Sequence, residues 1–148
     1  MPNDRDKKLH LLFEHADDKA RILQETLSNN RAEAIKFLDN VVIPAYSRVK
    51  ELAEQYGRSA KIRTIYNDES QFPGIELTIT LARETEFGYL VEVRFSDFQI
   101  FADPYVLDKT RNVYKQTVWP TVGGYFIYAV TTDIVLDGII NDLYCFLG

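Results

Sequence analysis

The sequence predicts an α+β fold in which two N-terminal helices and one C-terminal helix flank an antiparallel, meander-like sheet of five strands. Three observations carry this. Apolar residues recur at helical spacing from residue 4 to residue 56, and again near the C-terminus. Between those segments the period changes to two, the spacing of a strand with one buried face. Clusters of Asn, Asp, Pro and Gly punctuate that middle region, as hairpin turns do.

Residues 4 to 28 form the first predicted helix. Leu9, Phe13, Ala16, Ala20, Leu23 and Leu27 recur at steps of four and three and line one face, while Asp17, Lys19, Arg21 and Glu25 lie off it. Ser28-Asn29-Asn30 should interrupt, because short polar side chains compete for backbone hydrogen bonds. Asn30 with Glu33 has the form of a capping box for a second helix, Arg31 to Tyr56, which Gly57 would end in the left-handed conformation. The apolar line of that helix is Ile35, Leu38, Val42, Ala45, Val49, Leu52 and Tyr56, an unbroken heptad. Phe37, Val41 and Ile43 add a second stripe, and Pro44 should kink the helix near Asn40–Val41. The heptad admits two roles: packing against the first helix and the sheet, or a dimer seam through Leu38, Val42, Val49 and Leu52.

The five expected strands are Arg58–Tyr66, Ile75–Ala82, Tyr89–Phe95, Asn112–Trp119 and Tyr125–Val130. Ile75, Leu77, Ile79 and Leu81 alternate with polar residues, as do Tyr89, Val91, Val93 and Phe95. Phe98 and Ile100 then change parity, which predicts a bulge or bend near Ser96-Asp97. Asp103-Pro104 reads as the start of a loop running to Arg111. The outward residues Lys61, Arg63, Glu76, Glu92 and Arg94 can form opposite-charge pairs across strands, as on a solvated sheet face. Thr131-Thr132-Asp133 caps the last helix, along which Val135, Leu136, Ile139, Ile140, Leu143 and Leu147 follow helical spacing. Gly138 either weakens that helix or permits a close approach.

With 148 residues and no linker, repeat or low-complexity tract, the chain reads as one domain, 1–148. The formal charge is −5, spread as −1, −3 and −1 over residues 1–57, 58–103 and 104–148, so no segment is basic and a nucleic-acid partner is not expected. No apolar run approaches the roughly 20 residues of a membrane span, and Glu14, His15, Asp17 and Asp18 end the first apolar patch too early for a signal segment. A single cysteine, Cys145, fits a reducing compartment, so a cytoplasmic protein is expected.

No constellation specifies a chemistry. His10 and His15 are five apart, about 140° around a helix, and cannot readily share a metal or a proton. Cys145 sits among Leu143, Tyr144, Phe146 and Leu147, where a buried cysteine is an inert hydrophobe. Asp133 and Asp137 share a helix face without a supporting metal motif, and Gly123-Gly124 is followed by a strand, not by the helix of a phosphate loop. No cofactor and no metal are expected. The suggestive feature is an aromatic run containing Tyr105, Tyr114, Trp119, Tyr125 and Tyr128, residue types that favour contact surfaces. The expected function is therefore a non-enzymatic, homodimeric protein-binding domain: an adaptor, a chaperone-like subunit or a neutraliser of a basic toxin. The alternative is a small-molecule-binding domain or weak enzyme, with an aromatic pocket between the sheet and the kinked helix.

Overall fold

A computed structural model describes residues 3–68, 71–82, 85–96, 99–107, 113–119 and 125–147. The fold is α+β, with N-terminal helices, an antiparallel sheet and one C-terminal helix. The elements are α1 (Asp4–Phe37), a π-helical turn (Leu38–Val42), α2 (Ile43–Gln55), β1 (Ala60–Ile65), β2 (Gly74–Ala82), β3 (Thr85–Phe95), β4 (Ile100–Leu107), β5 (Val113–Gln116) and α3 (Thr132–Leu147).

The two expected N-terminal helices are joined, and the break falls ten residues later than expected. Asn3 caps α1, its Oδ1 accepting from the Asp6 amide at 2.9 Å. Ser28, Asn29 and Asn30 stay helical. Asn30 does not bend back to cap a helix, because its side chain donates to the Ser96 carbonyl at 2.6 Å. A tertiary bond thus displaces the local one that would have broken the helix. The interruption is the π turn, which the Pro44 argument placed near Asn40–Val41. The Ile43 amide reaches back five residues to the Leu38 carbonyl, so the chain widens by one residue just before the proline.

The sheet is an antiparallel meander in the order β1-β2-β3-β4-β5. Four strands of six or more residues carry it, and β5 adds four residues at one edge. Only four of the five expected strands are in it. Tyr125–Val130 is not a strand: it touches the sheet through a single bridge from Phe126 to Phe101 and then turns into α3. Its place is taken by β4, most of which reads as loop because of Asp103-Pro104. Both residues are accommodated in the ladder. The Pro104 carbonyl accepts from the Thr117 amide at 3.1 Å, and the Asp103 carboxylate is met by Arg94. The parity change after Phe95 marks a reversal rather than a bulge: the Ser96 amide donates to the Gln99 carbonyl between β3 and β4.

The core lies between one sheet face and the helices. Leu38, Val42, Ala45 and Tyr46 pack on Ile75, Leu77, Tyr89 and Val91, all fully buried. The buried Tyr46 hydroxyl donates to the Ile75 carbonyl at 3.0 Å, and burial raises its pKa well above the ordinary phenol value. Thr132 Oγ1 donates to the Val41 carbonyl at 2.9 Å, fastening the start of α3 to the π turn. Trp119 Nε1 donates to the Tyr89 hydroxyl at 2.8 Å, and the Cδ1–Nε1 side of the indole lies against Gly138 of α3.

Gly138→Ala tests that contact, because two effects have opposite signs. Helix propensity alone gains about 1 kcal/mol. A Cβ at Gly138, however, would lie 2.7 Å from Trp119 Nε1 and 3.3 Å from the Tyr89 oxygen. Overpacking of this kind costs about 1–3 kcal/mol. Urea denaturation is expected to show Gly138→Ala destabilised; a stabilised variant would mean that α3 is not seated on Trp119.

Candidate interaction site

The first 26 residues of α1 form an arm. Nearly every residue from Asn3 to Asn29 is exposed, and the helix is first tied to the body, among the described residues, at Asn30 and Arg31. The arm has an apolar stripe that, among the described residues, stays open to solvent over most of its length. Leu9, Leu12, Phe13, Leu23 and Leu27 are between 36 % and 65 % exposed. The same heptad continues past Asn30 into the core, where Ala34 and Phe37 are buried. One stripe therefore serves two surfaces: its C-terminal third packs on the sheet and the remainder faces outward.

Where the arm leaves the body there is a groove of about 810 Å³. Its walls are the Ala20–Leu23–Leu27 stripe of α1 on one side and Phe72, Phe95 and Glu92 on the other. Phe72 and Phe95 are held edge to face, with ring centres 5.2 Å apart. Arg31 builds the floor. Its guanidinium donates to the carbonyls of Tyr66 at 2.6 Å, Gln71 at 2.9 Å and Asp68 at 3.1 Å, fixing the β1–β2 connection against the helix. The Glu92 carboxyl is raised above its ordinary pKa, first by burial and then by the charge of Asp103, with Arg94 opposing.

The expected contact residues are scattered. Trp119 is 1 % exposed and belongs to the core, so it offers no contact surface. Leu38 and Val42 are wholly buried against the sheet and offer nothing to a second copy, which corrects half of the expected seam. The other half, Val49 and Leu52, lies in a separate groove. Tyr125 is half-buried, 5.5 Å from Trp119 centre to centre, and its hydroxyl accepts from the Trp119 amide at 2.9 Å. Tyr105 is half-buried on the far face of the sheet, with its hydroxyl pKa raised by burial and by Asp103. Tyr128 is exposed, and the Tyr114 side chain lies outside the described residues. Among the described residues the expected aromatic surface is thus not assembled: Trp119, its largest member, faces inward.

Three other places were candidates for chemistry. On the far sheet face, Arg63 pairs with Glu76 and Arg94 with Asp103, as the cross-strand charges predicted for the first pair. The guanidinium groups reach solvent while both carboxylates are buried beneath them, so these are structural clamps on the sheet. At the other end of the core, Thr117 Oγ1 lies 2.6 and 2.7 Å from the oxygens of buried Asp142, which also bonds the Tyr89 hydroxyl. The resulting Thr117–Asp142–Tyr89–Trp119 network satisfies the buried carboxylate from within. The third is an apolar groove of about 350 Å³ between α2 and α3, lined by Val49, Leu52, Tyr56, Ile140 and Leu143, with Arg48 and Arg58 at its edge. The region near Pro44, where the pocket was expected, is filled by Leu38, Val42 and Tyr46.

Cys145 is exposed, not buried as expected; the neighbouring Phe146 is the residue of that turn that packs on the sheet, against Phe87. His10 and His15 both lie on the exposed arm. Among the described residues no group of three or more His, Cys, Asp or Glu side chains could hold a metal ion, and no helix is long and apolar enough to cross a membrane. No family model, curated protein or solved structure matches the chain.

Sequence reasoning passed over Arg31, Phe72, Phe95 and Glu92 as site residues. A signal existed for Phe72: a large aromatic in a polar Asn-Asp-Glu-Ser and Pro-Gly turn needs a surface to pack on. Arg31→Lys is expected to loosen the groove, since an ammonium cannot span the three carbonyls that the guanidinium fork bonds. Loss of those bonds should cost about 1–2 kcal/mol. By hydrogen exchange, the Gln71 amide, now bonded to the Asp68 carbonyl at 3.1 Å, should lose protection while Ile75–Ile79 keep theirs.

Proposed function

We propose that the protein is a non-enzymatic protein-binding domain that assembles through the arm of α1. The observation that supports this is the unpartnered stripe from Leu9 to Leu27. Most of a helix's stability in a protein comes from packing its amphipathic face, and an apolar stripe on a free helix has no function within its own fold. A second helix laid on the stripe supplies both the missing burial and the missing stability. The groove at the root of the arm extends the same surface onto the body. Association as a homodimer is the simplest form of this reading, since every copy carries the same stripe. An adaptor or chaperone-like role fits such a domain.

Leu23→Asp discriminates this reading from a stripe without a role. Leu23 lies on the arm and 45 % exposed, so its replacement should leave the unfolding transition of the body unchanged. Sedimentation equilibrium from about 1 to 100 μM, the range where modest interfaces populate, should show dimer for the parent and monomer for the variant. A parent that stays monomeric throughout removes the reading.

The α2–α3 groove supports a second reading, binding of an apolar carboxylate. Its lining is almost wholly aliphatic, and Arg48 and Arg58 stand at its edge. A long-chain fatty acid carrying a fluorophore should bind the parent and lose about tenfold in affinity in Arg58→Glu, as expected for losing one charge-assisted contact. Equal affinity in both proteins excludes the groove as the site.

A further inference from the structure

The arm carries a size palindrome. Taking Asp18 as the centre, Leu9 and Leu27 stand nine residues either side, Phe13 and Leu23 five, and Ala16 and Ala20 two. All six lie on the exposed stripe. We infer that two copies pair their arms antiparallel about a two-fold axis at Asp18, with the start of each arm lying in the groove at the root of the other. The inference rests on the arm being the assembly surface, and adds who the partner is and how it lies.

Self-complementarity is the first argument. A two-fold interface requires each residue to meet the residue related to it by the axis. An antiparallel pair centred on Asp18 sets Leu9 against the partner's Leu27, Phe13 against the partner's Leu23 and Ala16 against the partner's Ala20. Large groups meet large ones, and the alanines let the two backbones approach closely at the axis. Leu12 flanks the seam, about 60° from its centre, whereas Leu11 and Ile22 lie on the opposite side of the helix and stay exposed. On the other flank Asp17 meets the partner's Asp17, and the partner's Arg21, one turn along, offsets the repulsion. The buried area is roughly 1,200 Å² in total from the helices alone, the lower end of a specific interface.

The groove is the second argument. From Asn30 the stripe turns onto its own sheet, so a parallel partner would run into the body that occupies that side. An antiparallel partner arrives with its N-terminal turns instead, and these fall alongside Leu23, Leu27 and Arg31, the residues that line the groove with Phe72 and Phe95. The partner's Leu9 and Phe13 supply apolar groups for that space. In the first turns of the arm Arg5, Lys7 and Lys8 outnumber Asp4 and Asp6, and Arg5 lies on the stripe face, four residues before Leu9; the groove holds the Glu92 carboxylate beside Asp103. Burial and a like charge disfavour that carboxylate in the single chain, so a cation brought in by the partner is complementary to it.

Cysteine pairs read the register directly. In a Cys145→Ser background, Leu9→Cys and Leu27→Cys are made singly and together. Residues 9 and 27 are about 27 Å apart along a helix, so neither single variant can cross-link to its own copy in the antiparallel arrangement. The expected result is no disulfide dimer from either single variant under mild oxidation, and a disulfide dimer from an equimolar mixture and from the double variant. A disulfide dimer from Leu9→Cys alone establishes parallel pairing and overturns this inference, while leaving the arm as the assembly surface. A preparation that sediments as a dimer but forms no disulfide in the mixture overturns it likewise, whereas a monomeric parent overturns the arm reading itself. For the groove, Glu92→Lys should weaken the dimer about tenfold and Arg5→Glu in the same chain should restore it. Unchanged dimer affinity in Glu92→Lys, with the fold intact by circular dichroism, overturns the placement of the first turns in the groove.

Discussion

Trp119 is where the sheet, the last loop and α3 meet, and the layered fold rests on how its indole is satisfied. The ring is too large to bury without a partner for its N–H, and the Tyr89 hydroxyl supplies that partner at 2.8 Å. Tyr89 is raised far above its ordinary pKa, burial being the largest cause, so it stays neutral and can accept from the indole while its O–H donates a hydrogen bond to Asp142. Asp142 in turn takes the Thr117 hydroxyl. Each member answers the polar demand of the next, which is how a buried carboxylate is tolerated on an otherwise apolar helix face. Gly138 provides the remaining condition, a helix surface flat enough for the ring. With α3 seated this way, Val135 and Ile139 complete the core over the end of the sheet.

A second constraint is one of length. Five strands span roughly 19 Å across their hydrogen bonds, while α1 alone is about 51 Å long. The sheet can cover only the end of that helix, together with the π turn and the start of α2. The π turn sets which part is covered. It lets Leu38 and Val42 both face the sheet despite Pro44, and it offers the Val41 carbonyl to Thr132. Everything before Asn30 is surplus to the core. That surplus is apolar on one face, so the sequence maintains a stripe that the monomer does not use.

Most of the period-two segments, the capped C-terminal helix and a helix interruption next to Pro44 were legible, because each is a local signal that packing reinforces. Three readings failed where a long-range contact outweighed a local one. Ser28-Asn29-Asn30 looked like a helix break until Asn30 was satisfied by Ser96, 66 residues away. Asp103-Pro104 looked like a loop until Arg94 and the Thr117 amide answered both residues inside a strand. Tyr125–Val130 looked like a strand because its aromatics alternate, but they serve Trp119 and Phe101 instead of a ladder. The site was half legible. The stripe from Leu9 to Leu27 is visible in the sequence as a helix face, but the longer heptad of the second helix is the stronger signal for a dimer seam. Periodicity reports which face is apolar, not whether the fold has a surface to set against it.

That distinction bears on how strong an assembly the arm can make. Alanines at the centre of a seam give close approach but little buried area, so the free energy comes from the four large residues towards its ends. Such an interface is weak for its length, and its selectivity lies in the order of sizes. A helix without small residues opposite Ala16 and Ala20 could not come close enough for its large residues to reach Phe13 and Leu23. The groove at the root of the arm adds area where the helix pair is richest in large residues, beside Leu23 and Leu27. It also links assembly to the body, because Arg31 holds the wall of that groove through three carbonyls of the β1–β2 connection. A partner seated there would press on the edge of the sheet as well as on the arm, so the order of the β1–β2 connection and the occupancy of the arm are coupled through one guanidinium.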